Sequence, residues 1–89
     1  MPGSADDYVR SLTQRIGREV KERREALGLS AYTLAKAAGV TDQTILNLEQ
    51  GQCPNGSWTA TLMRIAVRFD TTLSELVSAA ERRGMRDRG

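Results

Sequence analysis

Apolar residues in this chain recur at helical spacing, and no stretch alternates with a period of two for long enough to make a strand. In the first segment Val9, Leu12, Ile16, Val20 and Leu27 fall at steps of 3, 4, 4 and 7. They form one stripe on a helix that Gly28 stops in the left-handed conformation. This helix starts either at the capping box Ser11-Leu12-Thr13-Gln14 or earlier, since no breaker lies between Ala5 and Ser11. Ser30 caps a second helix, Ala31 to Ala38, with Leu34, Ala35 and Ala38 on its apolar face and Gly39 at its end. Thr41 caps a third, Asp42 to Gln50, which Gly51 ends. The stretch from Gln52 to Gly56 is a loop by composition. Ser57 caps a fourth helix to about Phe69, with Leu62, Ile65, Ala66 and Phe69 inward. Thr72-Leu73-Ser74-Glu75 is a capping box for a fifth, which presents Leu73, Leu76, Val77 and Ala80. The expected fold class is all-α, a compact five-helix bundle. Residues 1–11 are read as an N-terminal extension or an early start of the first helix, 12–80 as the folded domain, and 81–89 as a basic, fraying tail.

With 89 residues the chain makes one small domain. Only Tyr8, Tyr32, Trp58 and Phe69 are aromatic, so the core must be built from Leu, Ile, Val and Ala. The absence of His excludes imidazole catalysis and His-ligated metals. One cysteine, Cys53, excludes an intrachain disulfide or a multi-cysteine metal knuckle, and fits a reducing cytoplasm. No apolar run approaches the ~20 residues of a membrane span, and the N-terminus is not a signal peptide. No nucleophile or acid–base constellation is visible, so the expectation is a non-enzyme with no metal and no cofactor. A net charge of +2 is too mild to establish nucleic-acid binding by itself.

Two short helices separated by Gly39-Val40-Thr41 form a helix-turn-helix unit. Around it stand Ile16-Gly17, Val20-Lys21, Arg24, Gly28-Leu29-Ser30, Leu34-Ala35, Ile45, Leu48-Glu49, Gly51, Leu62, Ile65-Ala66, Leu73 and Leu76, in that order. This run resembles the XRE, or Cro/phage-repressor, family of helix-turn-helix proteins. The resemblance implies a bundle of the phage-repressor type whose third helix enters the DNA major groove. It also implies an ion pair between Arg24 and Glu49, and phosphate contacts near Ser30 and Tyr32. Ala31 stands where many family members carry Gln, and the loop after Gly51 is longer than in compact phage repressors.

At 100° per residue Ile45 and Leu48 share the inward face of the third helix, and Gln43, Asn47 and Gln50 point away from it. Asn and Gln can bond bidentately to adenine, so Gln43, Thr44 and Asn47 are the expected base readers. Asp42 either accepts from cytosine N4 or favours the helix N-terminus. Leu46 either touches thymine methyls or is only a helix former. Lys36, Asp42 and Glu49 are the only charges between Ala26 and Met63, a net −1. Phosphate neutralisation must therefore come from elsewhere, with Arg64 and Arg68 as candidates. The first helix is read as a solvated face laced with pairs such as Arg15–Glu19. Trp58 is read as core packing beneath the loop, and Cys53 as a plain loop thiol.

The expectation that follows is a cytoplasmic, sequence-specific double-stranded DNA-binding transcriptional regulator. It would act as a homodimer on a near-palindromic operator. The dimer contact would be Leu73, Leu76, Val77 and Ala80 of the fifth helix, with Leu76 and Ala80 at the edge of the stripe. The alternative is a protein-interaction module, or an antitoxin or controller-type partner, on the same fold.

Overall fold

The computed structural model describes the backbone of residues 5–52 and 58–88, and the side chains of 5–52 and 59–84. The expected cap at Ser57, the thiol of Cys53 and the packing of Trp58 lie outside the described residues. Five helices follow one another: α1 (Ala5–Ala26), α2 (Ala31–Ala38), α3 (Asp42–Glu49), α4 (Trp58–Arg68) and α5 (Leu73–Arg88). The largest interface is α1 on α5; α2 packs on α3 and α4, and α1 also on α3. Ile16 and Val20 of α1 meet Leu34, Ala35 and Ala38 of α2, Ile45 and Leu48 of α3, and Leu62, Ile65, Ala66 and Phe69 of α4 in one core.

The caps form where side-chain chemistry calls for them. Ser30 Oγ accepts the Thr33 backbone N–H at 3.0 Å, and Thr41 Oγ1 accepts that of Thr44 at 3.1 Å. Thr72 Oγ1 accepts that of Glu75 at 3.1 Å. Gly39 takes φ +71°, so the Val40 N–H can turn back to the Ala35 carbonyl at 3.0 Å. At the end of α4 the same left-handed position is filled by Asp70, at φ 59°. Helix α3 stops at Glu49, one residue before the expected end, with Gln50 as its cap.

Two helix bounds extend past residues 12–80, and one expectation needs correction. First, α1 takes the longer of its two possible starts, and Ser11 is an interior residue. Asp6 and Asp7 sit in its first turn, where acidic groups suit the helix dipole. The Tyr8 hydroxyl donates to Glu81 on α5 at 3.2 Å. The outer residues of its stripe are not core: Val9 and Leu27 are exposed, and Leu12 is half-buried. Second, α5 continues past Glu81. It runs on to Arg88, and on the way Arg83 is held by two carboxylates of α1. Third, Leu76 and Ala80 are both 0% exposed within one chain. They face the bundle instead of its edge, so no second copy can reach them. Only Leu73 and Val77 of that stripe remain half-buried.

Helices α1 and α3 approach closely at Gly17. A Cβ there would collide with the Leu48 carbonyl oxygen and stand 2.8 Å from that of Glu49. The bare backbone of α1 thus lies against the C-terminal turn of α3.

Candidate nucleic-acid interface

Helix α3 is fixed from its inner side. Ile45 and Leu48 are fully buried, and Glu49 is buried with them as the helix's one acidic inward group. The Arg24 guanidinium meets that carboxylate edge-on, with Nε 2.7 Å from Oε2 and Nη2 3.1 Å from Oε1. Its remaining nitrogen, Nη1, donates to the Leu29 carbonyl at 2.8 Å. One side chain therefore ties the end of α1, the entry to α2 and the end of α3. The hydrogen bonds to Glu49 outweigh burial and hold the Arg24 guanidinium above its ordinary pKa. The bidentate geometry needs the planar fork of arginine and is closed to lysine.

What α3 turns outward is polar. Gln43 and Gln50 are exposed and Asn47 is half-buried beside them. Gln43 Nε2 donates to Asn47 Oδ1 at 2.9 Å, one helical turn away. The Asp42 carboxylate accepts the Gln43 backbone N–H at 2.9 Å at the start of the helix. Thr44 is half-buried, its hydroxyl 2.9 Å from that of Thr41. Leu46 breaks the polar surface as an exposed apolar residue.

Around this face the expected phosphate groups differ in what they have left to offer. The Ser30 hydroxyl caps α2 and also donates to Thr33 Oγ1 at 2.9 Å, so its proton is already used. Tyr32 is exposed, and the Lys36 ammonium lies 5.4 Å from its ring centroid. Arg64 reaches the turn itself: its Nη1 is 3.7 Å from where a Cβ on Gly39 would stand. Arg68, one turn further along α4, is exposed.

Among the described arginines of α1 and α5, Arg15, Arg23, Arg24, Arg82 and Arg83 have partners within the chain. Glu19 pairs with Arg23 at 2.7 Å and with Arg83 at 2.9 Å, not with Arg15 as the i,i+4 spacing led one to expect. Arg15 sends Nε to the Ser11 carbonyl at 3.3 Å. Glu22 meets Arg83 at 2.6 Å. Burial works against the charge on Glu19. The hydrogen bonds from Arg23 and Arg83 overcome it and hold the carboxyl below its ordinary value. Its two carboxylate partners raise Arg83 well above the usual arginine range. This cluster escaped sequence reading because Arg83 is 64 residues from Glu19. Its only sequence signal was the run of charge at both places.

No group of metal-ligating side chains occurs among the described residues, and none of their helices is long and apolar enough to cross a membrane.

Comparison with known proteins places the arrangement. A family model described as a helix-turn-helix domain matches residues 15–79. Among solved structures, the clp gene regulator ClgR from Corynebacterium glutamicum superposes with a TM-score of 0.69 at 20% identity, over 79% of this chain and 72% of that one. At that identity the likeness speaks for the fold. No curated protein matches.

Proposed function

The chain belongs to the helix-turn-helix family, and on that premise we propose that it is a sequence-specific double-stranded DNA-binding regulator of transcription, acting in the cytoplasm without catalysis. One observation carries this reading. The face of α3 opposite its buried side offers the amides of Gln43, Asn47 and Gln50 on a helix anchored by a buried ion pair. Amides suit base edges, and a rigid support is what a reading helix needs.

In this reading residues 12–80 are the DNA-binding unit. Helix α3 enters the major groove, with Gln43, Asn47 and Thr44 at base edges and Asp42 closing the helix start. Tyr32, Arg64 and Arg68 meet phosphates. Ser30 acts as a helix cap.

A net charge of −1 between Ala26 and Met63 makes a single copy a weak binder. Two copies on one duplex overcome that weakness. We assign the contact between copies to the half-buried edge of α5 that carries Leu73 and Val77. A two-fold pair would set its reading helices about 34 Å apart and call for a near-palindromic operator with half-sites about 10 bp centre to centre.

Selection of bound duplexes from a random-sequence pool tests this. The expected product is a common sequence in two inverted halves. A common sequence with no repeat would contradict the dimer. A pool with no common sequence would contradict DNA reading and favour a protein-interaction role.

A further inference from the structure

The stretch from Ala26 to Met63 is net −1, so the charge that holds a duplex has to come from outside it. Arg64 of α4 stands against the Gly39 turn, at the N-terminal end of α3. The C-terminal end of α3 lies against α1 instead. A Cβ on Gly17 would collide with the carbonyls of Leu48 and Glu49, and a Cβ on Gly51, just after Gln50, would stand 2.7 Å from Gln14 Cγ. Arg10, Gln14, Gly17 and Lys21 follow at steps of 4, 3 and 4, so they form one stripe of α1. The middle of that stripe touches the end of α3 and the turn after it. Its two ends, Arg10 and Lys21, are exposed cations. Asp6 and Glu25 lie one turn beyond them, yet among the described residues neither cation has an ion-pair partner.

Resting on the DNA-reading proposal above, we propose that Arg10 and Lys21 bind backbone phosphates beside the C-terminal end of α3, at the opposite end of that helix from Arg64. Their eleven-residue separation places them about 16 Å apart along α1, Arg10 about 10 Å before the crossing at Gly17 and Lys21 about 6 Å after it. One phosphate cannot serve both, so each takes its own. Arginine offers a planar fork to phosphate oxygens and lysine a mobile point charge, and both have stems long enough to reach past the helix that carries them. Such contacts carry no sequence information, but they fix register and orientation on the duplex. With Arg64 at one end of α3 and the α1 pair at the other, the reading helix is held at both ends and cannot pivot in the groove. Arg18 supplies the contrast. It is an exposed cation of the same helix, about 100° around the axis from Gly17 and off the stripe.

The test uses the full chain and a duplex enriched from the random pool. Phosphates of that duplex are replaced one at a time by uncharged methylphosphonates. Binding is measured over a range of salt for the wild type, Arg10→Ala, Lys21→Ala and Arg18→Ala, all at exposed helix positions that alanine suits. Arg10→Ala and Lys21→Ala are each expected to flatten the slope of log K against log salt by about 0.9. Each also stops responding to replacement at its own phosphate, a different one for the two variants, and still responds to the others. Arg18→Ala keeps the wild-type slope and the wild-type pattern of responses. If all three variants weaken binding alike and keep that pattern, their charges act only from a distance, and the phosphate contacts are overturned while DNA reading stands. If the pool yields no common sequence, DNA reading fails and this inference falls with it.

Discussion

Arg24 and Glu49 lie 25 residues apart and meet through two parallel hydrogen bonds, with side chains only 12% and 4% exposed. Removing either partner leaves a buried charge without its complement. Glu49→Ala is expected to lower stability by about 3 kcal/mol. Arg24→Lys should recover only part of an Arg24→Ala loss, since an ammonium cannot reproduce the fork. Urea unfolding measures both. A Glu49→Ala midpoint equal to that of the wild type would show the pair to be worth no more than an exposed one.

Gly17 is where α1 leaves no room. The obstacle to a Cβ there is the backbone of Leu48 and Glu49, not the end of a flexible side chain. Gly17→Ala must therefore push α3 outward, and the Arg24–Glu49 bond with it. The expected cost is about 2 kcal/mol, against the small gain that alanine gives an ordinary helix position. Gly84 provides the contrast, because its neighbour is the far end of the Arg15 side chain, which can turn aside where backbone cannot. Gly84→Ala should be close to neutral in the same unfolding assay. Equal effects at the two glycines would contradict the reading.

Acid should loosen the α1–α5 contact. Glu19 has an ordinary pKa of 4.5 and titrates lower in the folded chain. Its stabilising contribution is complete above about pH 4.5 and is lost as the pH falls through the lower folded value. Glu19→Gln should therefore be less stable than the wild type at neutral pH, with the two converging as the pH drops below 4.5. Thermal melts from pH 7 to pH 2.5 follow this difference. A gap that stays constant across that range would show that Glu19 ionisation does not contribute.

Much of this was legible in the sequence because it is local. Caps at Ser30, Thr41 and Thr72 need only a hydroxyl three residues before an N–H, and the stop at Gly39 needs only a residue tolerant of positive φ. The outward amides of α3 follow from period alone. What could not be read depends on chain segments far apart. Leu76 and Ala80 looked like a stripe with an uncovered edge, but α1 and the rest of the core cover them completely. The tail looked basic and loose because nothing local says that Arg83 will find Glu19 and Glu22. Gly17 looked like one more family residue until the carbonyls of α3 were seen against it.

Arg64 and Arg68 separate phosphate attraction from base reading. Arg64 lies against the turn between α2 and α3. Arg64→Ala is expected to weaken binding to every duplex and to flatten the dependence of log K on log salt by about 0.9, one phosphate contact. Arg68→Ala should act in the same direction. Fluorescence anisotropy at several salt concentrations reads the slope. A change confined to one sequence, with the slope intact, would place Arg64 among base readers instead.

The most direct measurement of the central claim is the ratio of two affinities of the wild-type chain at one physiological salt concentration. One duplex carries the sequence enriched from the random pool, and the other carries the same bases scrambled. A DNA-reading regulator should bind the first at least about a thousandfold more tightly. Gln43→Ala should cut that ratio while leaving the affinity for the scrambled duplex unchanged. Equal affinity for both duplexes in the wild type would contradict the account.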